Sequence, residues 1–529
     1  MLRPSAALSL LVLALPAPAV RAAEAPAAVP PAAESAPAVP AGPVLTLRHA
    51  LQATLEQSPA LRISAQGIEQ RSGVAEQASG AFDWNALAAA SVGKDRTPVP
   101  GLPGTELVDD SSTVAYSAGV AKQFRNGVVI RPTASVAVQD GHSSPLPSTG
   151  VSQLNFQVEV PLLRGLGADS TGAAEAAARG DIEVARLLYE HALAAQAYAT
   201  ALSYWSSRAA DETLVMQREV EKASGRLVES TKVLVDTRIF PPAFLLQAEA
   251  NLRDKRTSRI DAELEARNSR YALGQALGLA PEAIAATPAA TDDFPALTPA
   301  DITIDAARQG ALVQRALADR ADLRASRASL VPLNILARQA QLDLKPRLDL
   351  TLSAGYKGLN LGNDVLAPLT SRLTGANGLV GLSLAWPIQN TYQRGLLRER
   401  RGDVQVAGAQ ADQLAQQIAA EVLVAVERVR LRADAVRSAQ ETVDIARKAL
   451  KAQYDQLKAG EGTLLDVISL ENLFSGARLR DINARATYAI AIAQLRYALG
   501  DVFERTSGTA FTPADLATLP TFPAESPAR

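Results

Sequence analysis

The chain has 529 residues, 47% apolar and 20% charged, with 53 lysines and arginines against 55 aspartates and glutamates. A formal charge of −2 gives no basic excess for nucleic acid, and the apolar share excludes wholesale disorder. The absence of cysteine excludes disulfides, thiolate metal sites, cysteine nucleophiles and acylation of an N-terminal cysteine, and His49, His142 and His191 are too scattered in sequence to suggest a metal site.

Arg3, the apolar run over 6–15 and the small-residue pattern Val20-Arg21-Ala22 predict a secretory signal peptide over 1–22. The run is too short, and too soon broken by Pro16 and Pro18, for a membrane anchor. An Ala/Pro-rich leader follows over 23–43. No later segment carries enough uninterrupted apolar residues for a spanning helix, so a membrane-embedded mature chain must enter as a β-barrel.

A first repeat over 44–279 opens with a helical lead and places its strands within 84–163. In 153–162, Leu154, Phe156, Val158 and Val160 alternate with Gln153, Asn155, Gln157 and Glu159. Two further segments, 112–124 and 127–139, alternate around Asn126-Gly127 and present Tyr116, Val120, Phe124, Ile130, Val136 and Val138 on one face. Alternation alone fits a soluble half-buried sheet equally well. Segment length, the aromatics Trp84, Tyr116, Phe124, Phe156, Tyr356 and Trp386, and the contrast between one tight turn and long connections at 94–111, 141–150 and 358–378 favour membrane strands. A helical hairpin over 171–278 closes the repeat, turning at Pro241-Pro242.

After a linker over 280–301, a second repeat over 302–503 follows the same plan, with strands within 346–387 and a hairpin over 391–500; a tail over 504–529 remains. From Val404 to Leu457, apolar residues recur mostly three and four apart, a coiled-coil stripe that ends at the turn 458–462. Leu61 aligns with Leu323, Pro161 with Pro387, Glu249 with Glu471 and Leu277 with Leu499, at offsets of 262, 226, 222 and 222. Ordered matches of this kind point to duplication, and the 36-residue drop in offset falls on the additional strand pair.

The junction Val160-Pro161-Leu162-Leu163-Arg164-Gly165-Leu166-Gly167, and Gly460 followed by Asp466-Val467-Ile468 and Glu471, resemble motifs of the outer-membrane efflux protein family, the TolC-like channel-tunnels. The resemblance implies an α+β membrane protein in which duplicated strand and long-helix repeats form a shared trimeric outer-membrane β-barrel and a long periplasmic α-barrel. It implies a homotrimer in outer-membrane lipid of a Gram-negative cell with a periplasmic extension. The expected role is a passive conduit, without cofactor or enzymatic activity, for a tripartite efflux or type I secretion system with a periplasmic adaptor and an inner-membrane transporter. The inter-repeat segment and part of the tail would form a collar. Drug, metal and protein cargo all stay open.

Two departures stand out. Family members usually contribute four strands each, so the additional pair raises a shared barrel from twelve strands toward eighteen. The first hairpin tip, Arg238-Ile239-Phe240-Pro241-Pro242, also differs from the second, Gly460-Glu461-Gly462-Thr463-Leu464. The resemblance marks Asp466 as the candidate periplasmic gate, with Ser469 where the family often has a second acidic residue. Arg238, Phe240, Pro241, Gly460, Gly462 and Thr463 are the candidate adaptor-docking residues. The competing reading is a periplasmic adaptor, which also owns long hairpins; two hairpins and duplicated strands disfavour it. Gly165-Leu166-Gly167 could open a dinucleotide loop, but Ser170 occupies the third glycine position and no βαβ unit follows.

Overall fold

A computed structural model describes residues 45–99, 107–141, 148–297, 306–362, 364–459, 461–504, 512–513 and 516–520. The expected signal peptide and leader, Gly460 and most of the tail lie outside the described residues.

The first repeat runs α1 (Leu47–Gln57), α2 (Pro59–Ser79), a 3-10 turn, then β1 (Asn85–Val99), β2 (Leu107–Gln123), β3 (Val129–Gly141) and β4 (Thr149–Pro161). A short α3 (Ala168–Thr171) leads to α4 (Ala173–Asp236) and α5 (Pro242–Leu277). The second repeat runs α6 (Ala306–Asp319), α7 (Ala321–Ala328), α8 (Leu330–Leu342), β5 (Arg347–Leu361), β6 (Gly375–Ala385), α9 (Thr391–Ala459) and α10 (Leu464–Leu499). The tail adds the two-residue strands β7 (Phe503–Glu504) and β8 (Thr512–Pro513). At 1.5 Å per residue, the 69-residue α9 is about 100 Å long. No helix among the described residues is both long and apolar enough to cross a membrane.

The six longer strands form one antiparallel sheet in chain order, with β4 beside β5 joining the two repeats and β1 and β6 at the edges. Its two faces differ as the alternation requires. Leu154, Phe156, Leu352, Tyr356, Val380 and Leu382 are exposed on one. The other carries a linked set of charges near the helix-proximal end, in which Glu159 pairs with Arg131 at 3.5 Å and with Arg347 at 3.0 Å, and Arg347 reaches Asp349 at 2.5 Å. Trp84, Phe124 and Trp386 flank the same end of the sheet, and the Lys122 ammonium lies 5.0 Å from the Trp84 ring centre and 5.6 Å from that of Phe124.

The additional hairpin belongs to this sheet, since β2 and β3 pair with each other and with β1 and β4. The strands also reach further than the sequence suggests. Residues 94–99 and 107–111, expected as loop, continue the β1–β2 ladder, with Arg96 bonded to Asp110 at 2.9 Å across it. Polar residues persist there because cross-strand pairing, and not an apolar face, holds them. Val136 and Val138 depart from the expectation of an open apolar face. Each is only 4% exposed, because the β5–β6 connection folds back over them: the Tyr116 hydroxyl donates to the Val365 carbonyl at 2.8 Å, and Ser152 and Ser371 hydroxyls meet at 2.9 Å.

The β2–β3 turn is clamped to the helices. Gly127, at φ 95°, leaves room that a Cβ would lose, since that atom would fall 2.1 Å from the Gly165 carbonyl. The Gly167 N–H donates to the Asn126 carbonyl at 3.0 Å, so the glycine-rich junction is a docking turn for the hairpin. Arg125 bonds the buried Glu175 in the first turn of α4 at 2.7 and 2.9 Å and stacks over Phe82 at 4.8 Å.

Away from the sheet, one apolar core unites α1, α4, α5 and α10 around Tyr204 and Trp205, with Ala290 of the inter-repeat linker and Leu516 of the tail. Tyr204 accepts N–H bonds from Thr291 and Asp292 and donates to the Leu45 carbonyl at 3.0 Å. The repeat symmetry is visible in the helix ends: Gly278 and Gly500, at φ 78° and 72°, close α5 and α10 in the left-handed conformation that favours glycine.

Candidate functional site at the hairpin tips

The far ends of both hairpins meet in a small core. Leu227 and Ala248 of the first pack with Leu464, Val467 and Ile468 of the second, flanked by Phe244, Tyr454 and Leu457. The spacing of Leu464, Val467 and Ile468, three and four apart, puts them on one face of α10, and that face is buried while Leu465 and Asp466 remain exposed.

Thr463 is the N-cap of α10. Its hydroxyl accepts from the Asp466 N–H at 3.2 Å and donates to Asp466 Oδ2 at 2.6 Å. Asp466 therefore sits at the positive end of a helix, where a carboxylate is favoured. Ser469, one turn on, bonds back to the Leu465 carbonyl at 2.8 Å. Gly462 is tightly placed, since a Cβ would lie 2.8 Å from Gln453 Nε2 and 3.2 Å from the Leu457 backbone nitrogen. Gly460 lies outside the described residues.

The first tip is built differently. The Ile239 N–H donates to the Leu234 carbonyl at 2.8 Å and the Arg238 N–H to that of Val235 at 2.9 Å, a Schellman closure of α4. Arg238 occupies its left-handed position at φ 56°, where glycine is usual. Pro241 caps α5 and Phe240 packs edge-on against Phe244 at 5.2 Å. Thr463 and Asp466 are thus brought together, whereas no hydrogen bond or ion pair among the described residues joins Arg238, Phe240 or Pro241 to them.

Sequence reasoning missed the buried polar pair behind these turns. The Tyr454 hydroxyl donates to Glu471 Oε1, and Glu471, 8% exposed, leaves Oε2 without a partner among the described residues. Burial pushes the Glu471 carboxyl above the ordinary carboxylate range, opposed by the Tyr454 hydroxyl and by the charges of Lys255 and Arg226. Burial, reinforced by Glu471, also raises the Tyr454 phenol. The repeat alignment singles out Glu471 beside Glu249, but Glu249 is exposed, so only packing separates them.

A sheet with one apolar and one polar face, open at both edges among the described residues, adjoins two long helical hairpins, and this arrangement recurs in solved outer-membrane channels. The outer membrane efflux protein family model matches residues 312–501, within the second repeat. Solved structures share the fold over most of its length. The Campylobacter jejuni CmeC outer membrane channel aligns with a TM-score of 0.66 at 16% identity, covering 87% of each chain. The Vibrio cholerae outer membrane protein VceC gives 0.62 at 18% identity, over 86% of this chain and 96% of that one. The Neisseria gonorrhoeae MtrE outer membrane channel, in its open state, gives 0.61 at 17% identity, over 86% and 88%. No curated protein sequence matches this chain.

Proposed function

We propose that this protein is the outer-membrane conduit of a tripartite efflux or type I secretion system, passive in itself and joined at its periplasmic end to an adaptor and an inner-membrane transporter. The observation that carries the reading is the six-stranded sheet with unpaired edge strands and an exposed apolar face. A single such sheet would leave backbone groups unpaired in lipid, and pooling strands between copies removes the edges. A homotrimer sharing one barrel is the assembly this favours, and its tips form the periplasmic entrance. Asp466 is the gate carboxylate in this reading. The turns around Arg238, Phe240 and Pro241, and around Gly460, Gly462 and Thr463, dock the adaptor, with the first set shaping partner preference.

Native mass measurement of detergent-extracted outer membranes, followed by conductance in planar bilayers, tests the proposal. A heat-modifiable trimer that forms pores is expected. A water-soluble monomer without pore activity overturns it and returns the adaptor reading to first place.

A further inference from the structure

The helices that continue the two edge strands carry matching charges. α2 ends six residues before β1 begins, and α9 begins six residues after β6 ends. They run in opposite directions, one toward the sheet and one away from it. Glu76, Arg71 and Glu69 lie three, eight and ten residues from the sheet-side end of α2. Arg394, Glu399 and Arg401 lie three, eight and ten residues from the sheet-side end of α9. All six side chains are exposed, and none forms an ion pair within the protomer among the described residues.

Their placement around each helix also agrees. α2 turns Leu61 and Ala75 inward, and α9 turns Gln393, Leu397 and Ala411 inward. At about 100° per residue, Glu69 and Glu76 lie about 80–100° to one side of the buried direction of α2, forming one shoulder, and Arg71 lies about 60° to the other side. On α9, Arg394 and Arg401 share one shoulder, joined by Arg398, and Glu399 takes the other. For antiparallel right-handed helices facing each other, acid meets base on both shoulders at once. Between the shoulders stand Ile63, 75% exposed, and Val406, 56% exposed, at nearly the same depth. Within one protomer the two helices stand apart, because α2 packs on α4, α4 on α8 and α8 on α9.

We propose that α2 of one protomer packs against α9 of the next copy in antiparallel register, Glu76 on Arg394, Arg71 on Glu399 and Glu69 on Arg401, with Ile63 against Val406 in the seam. The inference rests on the trimeric reading and continues below the sheet the pairing of β6 with the neighbour's β1.

Native mass of the wild-type protein in detergent is measured first, since a monomer there overturns the trimer and the seam together. With the trimer established, Glu69→Arg/Glu76→Arg and Arg394→Glu/Arg401→Glu are each expected to lower the temperature at which trimer dissociates to monomer by several degrees. The combined fourfold variant is expected to recover it. A fourfold variant no better than the two doubles in sum overturns the register while leaving the trimer intact. Should the doubles not assemble, cysteine placement in this cysteine-free chain decides. Glu69→Cys with Arg401→Cys is expected to give dimer and trimer ladders with a short bismaleimide. Glu69→Cys with Arg394→Cys, seven residues out of register, should give far fewer; equal or reversed yields overturn the proposal.

Discussion

Thr463 and Asp466 are bonded twice: the threonine hydroxyl receives the aspartate N–H and gives its own proton to the aspartate carboxylate. The same side chain thus starts α10 and fixes the direction of the carboxylate proposed to line the entrance. Carboxylate direction and helix start are coupled through one hydroxyl.

Thr463→Ala is therefore expected to cost about 1 kcal/mol of local stability and to broaden the orientation of Asp466, while Thr463→Ser preserves both. Asp466→Asn should lower cation preference and sensitivity to divalent block without preventing assembly. Single-channel reversal potentials check this, and unchanged selectivity in Asp466→Asn would place the constriction elsewhere.

Arg238→Gly should stabilise the first tip by about 1 kcal/mol, because a left-handed conformation strains every residue that has a Cβ. Slower hydrogen exchange at the Ile239 amide is the expected signature. If adaptor binding also weakens, the arginine side chain is maintained for contact at the expense of the turn.

Glu471 makes the tip core dependent on pH. Its carboxyl is raised above 4.5 in the folded state, so the folded tip holds the proton more tightly than the unfolded chain does. That contribution is complete below 4.5 and is lost as pH rises through the higher folded value. Glu471→Gln should flatten this dependence in thermal unfolding of the periplasmic helices, and a parallel pH profile in the variant would contradict the assignment.

Cysteine scanning separates the two halves of the additional hairpin. Val120, 38% exposed, should react with a lipid-phase probe, whereas Val136, 4% exposed, should stay protected beneath the β5–β6 connection until that connection is shortened. Labelling of Val136→Cys at the rate of Val120→Cys would mean the fold-back does not persist in the membrane.

The sequence carried the periodic parts of this molecule. A stripe three and four apart defined α9, and clean alternation identified β2 and β3, because both signals are local and repeat many times. The strand ends at Val99 and Leu107 were hidden, since polar residues there are held by the opposing strand. The cover on Val136 comes from residues more than two hundred positions away. At the tips, Thr463 and Asp466 were singled out separately, as docking and gate candidates, and neither their bonding to each other nor the burial of Glu471, which depends on both hairpins closing over it, was legible. The strain at Arg238 leaves no mark in composition, because the usual glycine is absent.

The six-stranded sheet of the described residues carries a consequence for flow in the proposed trimer. Three copies would close eighteen strands where a four-strand protomer closes twelve, and barrel diameter grows about linearly with strand number, so the bore widens roughly 1.5-fold and its cross-section about 2-fold. Resistance in series is dominated by the narrowest segment. In the proposed trimer, a wide mouth at the cell surface would shift both the ohmic drop and the hydrodynamic drag to the opposite end of the pore, so that throughput would be set by how far the helical tips part.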